Sequence, residues 1–202
     1  TGRRVNKCWQ LPKTYDELVG RRKAIASWSR LSGGWLGRSP DHIASSVAGQ
    51  VMGLHVFEKH SPDRAKALWN YYEYCRDNDL YLTYVIINPQ ADRGKDTANQ
   101  AEEFVACGVV DEDSEGITVR GAKMLGTGSI MANEVLVANI QPLKPGEEKY
   151  AISFAVPIGH KGVKVLSRRS YEQSITTEYD YPLSAHFDEN DALFYFDDVK
   201  VP

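Results

Sequence analysis

Cysteine is scarce in this sequence, and long hydrophobic runs are missing from it. The three cysteines among 202 residues, Cys8, Cys75 and Cys107, are widely spaced and form no CxxC or cysteine–histidine pattern. This argues against a disulfide framework and a zinc site, and it fits a reducing compartment, so we expect a cytoplasmic protein. No stretch approaches the roughly eighteen apolar residues of a membrane span. The first residues lead into no secretory signal, and we expect no membrane partner.

Neither sign of charge dominates the chain. Its 24 basic and 27 acidic residues are interspersed and give a formal net charge of −3. Proteins that bind a phosphate backbone carry a basic footprint, so we expect no nucleic-acid partner. The sequence also lacks a Walker loop and a GxSxG motif. An acidic run at 187–191 lacks the spacing and the glycine of an EF-hand, and we interpret it as a solvated loop; we predict no metal site.

The chain does contain a helical first part and a strand-rich second part. Apolar residues at helical spacing predict helices over 15–31, from about Pro40 to Lys59, and from Ser61-Pro62 to Asp77. From Leu80 onward the period becomes two, which predicts strands at 80–87, 103–110, 116–123, 134–140, 150–156, 163–167 and 192–201. We therefore predict an α+β fold, with an N-terminal helical domain over 1–80 and a middle antiparallel β sandwich or barrel domain over 81–202. The chain begins without methionine and stops just after the last strand, so we expect it to be part of a longer polypeptide.

Arg38 and His42 flank the start of the second predicted helix. Ser39 is a good N-cap, Pro40 suits the first helical position and Asp41 complements the positive helix end. Arg38 would add a cation to the free N–H groups there, and such a helix end could receive an anionic ligand. The alternative is that Arg38 pairs with Asp41 and that His42 is a solvated helix residue. The residues alone leave both interpretations open.

Two further segments combine strands with polar loops. Residues 83–93 leave an apolar strand and end in a loop rich in side-chain donors and acceptors, which is also compatible with a capped strand exit and a surface pair between Asp92 and Arg93. Residues 121–129 run from a strand into a glycine-spaced turn with two hydroxyls. Such a turn lets backbone N–H groups approach a planar ring or a phosphate, but it is equally typical of a hairpin corner.

The order of five motifs resembles the 4-hydroxyphenylacetate 3-hydroxylase family, and within it the phenol and chlorophenol monooxygenases. The resemblance covers essentially the whole chain and rests on Gly2-Arg3-Arg4, Gly37-Arg38-Ser39-Pro40-Asp41-His42, Asn88-Pro89-Gln90-Ala91-Asp92-Arg93, Gly121-Ala122-Lys123 with Thr127, and Phe196-Asp197-Asp198-Val199-Lys200-Val201-Pro202. It implies an acyl-CoA-dehydrogenase-like fold with a helical domain, a middle β domain and a C-terminal helical bundle. We expect this chain to contain the first two of these three.

The resemblance also implies an activity and its partners. Family members of this type are oxygenase components that take reduced FAD from a separate flavin reductase. Reduced flavin and molecular oxygen form a C4a-hydroperoxide, which hydroxylates the ring of a bound phenolic substrate. The resemblance further implies a homotetramer formed largely through the missing C-terminal domain, so that the isolated chain would be inactive.

The residue roles that follow are implied by the same resemblance. Arg38, His42 and Tyr84 would be catalytic, with Arg38 favouring the phenolate form of the substrate because a nearby cation stabilises the anion. The substrate would contact these three residues and, at its other end, Asn139 and Ile140. The flavin contacts would come from Tyr84, Val85, Ile86, Ile87, Gln90, Ala91, Asp92, Arg93, Gly126, Thr127 and Gly128.

Two other functions remain open at this point. A related branch dehydrates 4-hydroxybutyryl-CoA with FAD and an iron–sulfur cluster, a chemistry that requires clustered thiolate ligands, and the region around Arg38 contains none. The chain could also be a non-catalytic binding or assembly module of the same fold.

Overall fold

The computed structural model describes residues 2–187 and 190–202; Thr1 and, within the acidic run, Asp188 and Glu189 lie outside the described residues. The chain divides into two compact units, Thr1–Tyr81 and Leu82–Pro202. The first unit is helical and the second is built of strands.

Four α-helices make up most of the first unit: α1 (Tyr15–Leu31), α2 (Asp41–Met52), α3 (Leu54–His60) and α4 (Pro62–Asp77). The bounds predicted for α1 and α4 are confirmed, because both helices begin at strong caps. Thr14 and Glu17 form a complete capping box before α1, and the Ser61 hydroxyl accepts from the Arg64 N–H before α4. Across residues 2–187 and 190–202, no helix is both long enough and apolar enough to cross a membrane.

The prediction of one helix from Pro40 to Lys59 is wrong, because the chain breaks at Gly53. The Gly53 backbone (φ −95°, ψ 20°) ends α2, and its N–H donates to the carbonyls of Gln50 and Gly49. Glycine disfavours a helix by about 1 kcal/mol relative to alanine, and it takes up this conformation without a steric cost. The Gly53 carbonyl then accepts from the Val56 N–H at 3.0 Å, which starts α3.

The core of the first unit lies between α2, α4 and the 3₁₀ turn Lys7–Trp9. The Tyr72 hydroxyl on α4 donates to the Trp9 carbonyl at 2.5 Å, and their rings meet edge to face with centroids 6.2 Å apart. Val47 on α2 is fully buried in the same unit. Helix α1 buries none of its residues, and its last residue, Leu31, is 86% exposed.

Seven strands form two sheets in the second unit: β1 (Leu82–Val85), β2 (Gly108–Asp113), β3 (Gly116–Lys123), β4 (Glu134–Val137), β5 (Phe154–Pro157), β6 (Val163–Ser167) and β7 (Ala192–Val201). The three-stranded sheet has the order β1-β4-β5 and the four-stranded sheet the order β2-β3-β7-β6. The predicted α+β fold class is confirmed. Strands β3, β6 and β7 have the predicted bounds, whereas β1, β4 and β5 are shorter and β2 begins only at Gly108.

One pairing departs from the predicted antiparallel arrangement. Strands β1 and β4 run parallel, with Leu82 opposite Glu134 and Val85 opposite Val137. A parallel pair needs a crossover connection, and the chain between β1 and β4 supplies one by forming β2 and β3. The two sheets share one core, in which Val85 and Val137 of one sheet pack with Val119 and Phe196 of the other.

Candidate functional site

Arg38 is held through its backbone in the helical unit. The Tyr81 hydroxyl donates to the Arg38 carbonyl at 2.6 Å, which joins the last residue of the unit to the loop before α2. Both side chains are half-buried. The partners are 43 residues apart in sequence, so a contact between distant residues fixes the Arg38 backbone.

The turn before α2 is built differently from its prediction. Pro40, and not Ser39, is the N-cap of α2, and it makes no side-chain capping bond. The Ser39 hydroxyl donates to the Asp41 carboxylate at 2.5 Å, and the Ser39 carbonyl accepts from the His42 N–H. Partial burial and the positive charge of Arg38 lower the pKa of His42, although Asp41 opposes this shift. A neutral imidazole is therefore favoured near pH 7, and it can both accept and donate a hydrogen bond.

Arg21 on α1 fixes the first turn of α2 from the other side. Its guanidinium donates to the Cys8 carbonyl from Nε at 3.1 Å and from an Nη at 2.8 Å, and the same Nη donates to Ser45 Oγ at 2.6 Å. Ser45 Oγ in turn donates to the Asp41 carbonyl at 2.5 Å. A planar guanidinium makes this forked contact, which a lysine ammonium does not reproduce.

In the β unit, three predicted contact segments meet around β1. Thr83 Oγ1 donates to the Thr127 carbonyl at 2.8 Å, which brings the glycine-spaced turn to this strand. Past the end of β4, the Ala138 N–H donates to the Val85 carbonyl at 3.2 Å and the Ile140 N–H to the Ile86 carbonyl at 3.4 Å. The predicted flavin segments and the predicted substrate-end residues are therefore neighbours within this unit.

The glycine-spaced turn does not offer its N–H groups to a ligand. The N–H groups of residues 126–129 donate to carbonyls of the chain itself, those of Ala192, Leu125, Asn190 and Gly126 respectively. Gly128 has φ +72°, and an added Cβ on Gly126 would lie 2.5 Å from the Phe194 ring, so both glycines are required by the turn itself. The Thr127 hydroxyl donates to the Asp191 carboxylate. Any contact of this turn with a ring would use side-chain or carbonyl atoms.

The loop that follows β1 lines a pocket of about 320 Å³. Its walls are Asn88, Pro89, Gln90, Asp92, Arg93, Lys95, Thr97, Gln100, Val105, Ala106 and Gln141. Gln100 closes the loop on itself, because its Nε2 donates to the Asp92 carbonyl at 2.9 Å and its Oε1 accepts from the Asp92 N–H at 3.1 Å. Three predicted flavin residues, Gln90, Asp92 and Arg93, are thus gathered in one pocket.

Asn88 leaves a buried amide atom without a partner in this pocket. Its Nδ2 lies 3.4 Å from Thr97 Oγ1, while its Oδ1 is buried and has no hydrogen-bond partner among the described residues. A buried polar atom without a partner costs about 1–3 kcal/mol, which a ligand with a matching polar group would recover.

Asn139 is engaged inside the β unit. Its Oδ1 accepts from Lys123 Nζ at 2.5 Å, and its Nδ2 donates to the carbonyls of Tyr150 at 2.6 Å and Ile152 at 3.4 Å. Both amide hydrogens are therefore used within the chain. The neighbouring Ile140 side chain is 60% exposed and is available for contact.

A family model described as 4-hydroxyphenylacetate 3-hydroxylase N terminal matches residues 1–202. The chain belongs to this hydroxylase family. It is 35% identical over 204 residues to the 4-hydroxyphenylacetate 3-monooxygenase oxygenase component of Geobacillus sp. (strain PA-9), an alignment that covers 100% of this chain and 41% of the relative. It is 39% identical over 193 residues to the 4-nitrophenol 2-monooxygenase oxygenase component of Rhodococcus sp, covering 94% of this chain and 36% of the relative. The chain thus spans about two fifths of the length of these curated relatives.

Solved structures agree with the family assignment. The oxygenase component of 4-hydroxyphenylacetate 3-monooxygenase, complexed with FAD and 4-hydroxyphenylacetate, superposes with a TM-score of 0.87 at 35% identity and covers 100% of this chain and 41% of its own. A 4-hydroxybutyryl-CoA dehydratase from N. maritimus superposes with a TM-score of 0.78 at 24% identity, over 100% of this chain and 41% of its own, and it shows the shared fold.

Three residues of this hydroxylase-family chain position the predicted contacts and were missed by the sequence interpretation. Tyr81 holds Arg38, Gln100 closes the pocket loop and Lys123 holds Asn139. Nothing near Tyr81 or Gln100 in the sequence indicates its partner. Lys123 does carry a signal, since it is a lysine inside a strand with β-branched and small neighbours.

Proposed function

We propose that this chain is the N-terminal part of the oxygenase component of a two-component, FAD-dependent monooxygenase that hydroxylates a phenolic substrate. The observation that carries the proposal is family membership over residues 1–202. The relatives are named oxygenase components of phenol-type monooxygenases, which supports a phenolic substrate and a separate reductase as the source of reduced flavin.

FAD would be held by the β unit. Gln90, Asp92 and Arg93 line one pocket with Asn88, whose buried Oδ1 has no hydrogen-bond partner among the described residues, so the polar lining fits a hydrogen-bonding cofactor. The remaining contacts would come from residues 84–87, Ala91 and the turn 126–128. When bound in its reduced form, FAD supplies the electrons that activate molecular oxygen for insertion into the ring.

Arg38 would favour the phenolate form of the substrate. A phenolate is a much better ring nucleophile than a phenol, and each unit by which a cation lowers the phenol pKa is worth about 1.4 kcal/mol. His42, whose own pKa is lowered by burial and by Arg38, would hydrogen-bond the phenol oxygen as a neutral imidazole. We propose the same role for the Tyr84 hydroxyl, and substrate contact for Asn139 and Ile140.

Four further properties belong to this proposal. We propose a homotetramer, and a helical domain over 1–80 followed by a β domain over 81–202, which is supported by the two compact units. We also propose a cytoplasmic location, because the thiols of Cys8, Cys75 and Cys107 are all free and buried. Light scattering of the natural full-length protein and fractionation of its native cells would check the assembly and the location.

The decisive experiment uses the natural full-length protein, chemically reduced FAD, ¹⁸O₂ and a panel of phenols. We expect a catechol-type product that carries one labelled oxygen. Arg38→Ala should raise the KM for the phenol and lower product yield at least tenfold. Arg38→Lys should recover little, because the forked guanidinium is lost. The matched control is Arg22→Ala, which removes an exposed arginine of α1.

Two results would contradict the proposal. Absence of labelled product from every phenol would remove the monooxygenase function. Equal yields and KM values for wild type, Arg38→Ala and Arg38→Lys would remove Arg38 from the reaction while leaving the function in place.

A further inference from the structure

Lys123, the last residue of β3, carries a cation in the core of the β unit. Its side chain is 0% exposed. Fully buried lysines are rare unless they are paired. No carboxylate of residues 2–187 or 190–202 lies within ion-pair distance of its ammonium group. Its position therefore needs an explanation other than a salt bridge.

The ammonium group holds the segment that follows β4. Nζ donates to the Ala138 carbonyl at 3.1 Å and to Asn139 Oδ1 at 2.5 Å. The Asn139 amide extends this chain of hydrogen bonds, because its Nδ2 donates to the Tyr150 carbonyl at 2.6 Å. Hydrogen bonds from a charged donor are about twice as strong as neutral ones, so Lys123 provides the strongest contacts of this segment.

The segment depends on these contacts because its backbone pairing is weak. Strand β4 ends at Val137, and beyond it two long bonds pair the backbone with the neighbouring chain, from the Ala138 N–H to the Val85 carbonyl at 3.2 Å and from the Ile140 N–H to the Ile86 carbonyl at 3.4 Å. Met124, directly after Lys123, donates from its N–H to the Ile87 carbonyl at 2.9 Å. Lys123 and Met124, two consecutive residues, thus bind the segment that follows β4 and the segment that follows β1.

We propose that Lys123 is a positioning residue, which fixes Asn139 and Ile140 beside the exit of β1 and so sets the shape of the substrate end of the site. This inference rests on the proposed function, which assigns the substrate end to these two residues. Lys123 acts through Asn139 and touches neither substrate nor cofactor in this role.

The electrostatic surroundings of Lys123 agree with an ammonium group that is charged at neutral pH. Burial lowers the pKa of Lys123 to about 8, and the titratable group that faces it among the described residues is the Cys107 thiol. Burial raises the pKa of Cys107 to about 12, so the thiol is neutral and offers Lys123 no counter-charge. The ammonium is therefore held by dipoles, those of the Ala138 carbonyl and the Asn139 amide.

The test is amide hydrogen exchange of the natural full-length protein carrying Lys123→Met, with Lys161→Met as the matched control because Lys161 is an exposed lysine of the same unit. We expect exchange at Ala138 and Ile140 to accelerate at least tenfold in Lys123→Met, while exchange at Phe194 in β7 is unchanged. The control should leave all three sites unchanged. Unaltered exchange at 138–140, or equal acceleration throughout the β unit, would overturn the proposal.

A second variant keeps the test decisive where Lys123→Met does not fold. Asn139→Ala removes the accepting amide and leaves the β3 core intact, and we expect the same local acceleration at Ile140. Unchanged exchange at Ile140 in this variant would refute the positioning role of Lys123. Turnover separates this inference from the proposed function: the KM for the phenol should rise at least fivefold in Lys123→Met with little change in kcat. A wild-type protein that forms no product refutes the proposed function, and a Lys123→Met protein with a wild-type KM refutes the positioning role.

Discussion

The substitution Gly126→Ala tests how tightly the glycine-spaced turn is packed onto the core. An added Cβ would lie 2.5 Å from Cε2 of Phe194, a side chain that is itself 0% exposed and stacks on Phe196. The ring must therefore move by roughly 0.9 Å within a packed core to reach ordinary van der Waals contact at 3.4 Å. Gly126 does not have positive φ, so the steric contact alone is tested.

The expected change in the free energy of unfolding is the cost of overpacking the core minus the gain from restricting the unfolded chain. Overpacking a core by one methyl group costs about 1–3 kcal/mol. Replacing glycine by alanine restricts the unfolded chain and returns about 0.4–1 kcal/mol. The middle of both ranges gives a fall in the free energy of unfolding of the β unit of about 1.3 kcal/mol, which is roughly a ninefold change in the unfolding equilibrium.

The assay must report on the β unit. All tryptophans lie in the helical unit, so intrinsic tryptophan fluorescence follows the other half of the chain. Hydrogen exchange of β7 amides in increasing urea measures the relevant stability. The matched control is Gly159→Ala, where nothing lies within 4 Å of the added Cβ, and stability should be unchanged or slightly higher.

A double-mutant cycle isolates the contact. Phe194→Leu removes the ring that the new methyl group meets, so Gly126→Ala should cost less in that background than in the wild type. If Gly126→Ala is as stable as the wild type, or if Phe194→Leu brings no relief, the reasoning about this turn is wrong.

Three further predictions follow from single contacts. Tyr81→Phe removes the bond to the Arg38 carbonyl and should cost about 1 kcal/mol in thermal unfolding of the helical unit, while Tyr15→Phe on the exposed surface should cost nothing measurable. Arg21→Lys loses a forked, charge-assisted contact and should lower the urea midpoint of tryptophan fluorescence by the equivalent of about 1–3 kcal/mol. Because the pKa of Lys123 falls from 10.5 to about 8 on folding, the unfolded chain binds more protons at this residue between these values. Stability measured by hydrogen exchange should therefore rise between about pH 8 and 9, by up to about 1.4 kcal/mol per unit, and Lys123→Met should abolish the rise. Above pH 9 the rise should level off, because burial raises the pKa of Cys107 from 9.0 to about 12 and the unfolded thiol then loses its proton first.

Local signals were sufficient for the starts of two helices. Thr14 with Glu17, and Ser61 with Pro62, are caps whose partners lie within one turn, so the starts of α1 and α4 could be predicted from sequence. The same reasoning failed at Ser39, because the helix begins one residue later, with Pro40 as its N-cap, and the Ser39 hydroxyl donates to the Asp41 carboxylate. It also failed at Gly53, where a helical pattern continues through a residue that ends the helix.

Contacts between distant residues decided the rest. The parallel pairing of β1 with β4 and the bond from Tyr81 to Arg38 join positions whose relation no sequence period encodes. The glycine-spaced turn is the clearest case, since its spacing suggested free N–H groups, and the carbonyls of Ala192 and Asn190 accept two of them.

The order of residue types by itself determined the family, the helix-then-strand architecture and the helix starts at Thr14 and Ser61, because caps and periodicity act over a few residues. Only the tertiary structure decided which backbone donors of the turn are satisfied, that Asn88 Oδ1 has no hydrogen-bond partner among the described residues and that Lys123 is buried against Asn139. Those outcomes depend on which groups come into contact in the folded chain. Each buried polar group that lacks a hydrogen-bond partner lowers the stability of the fold by about 1–3 kcal/mol.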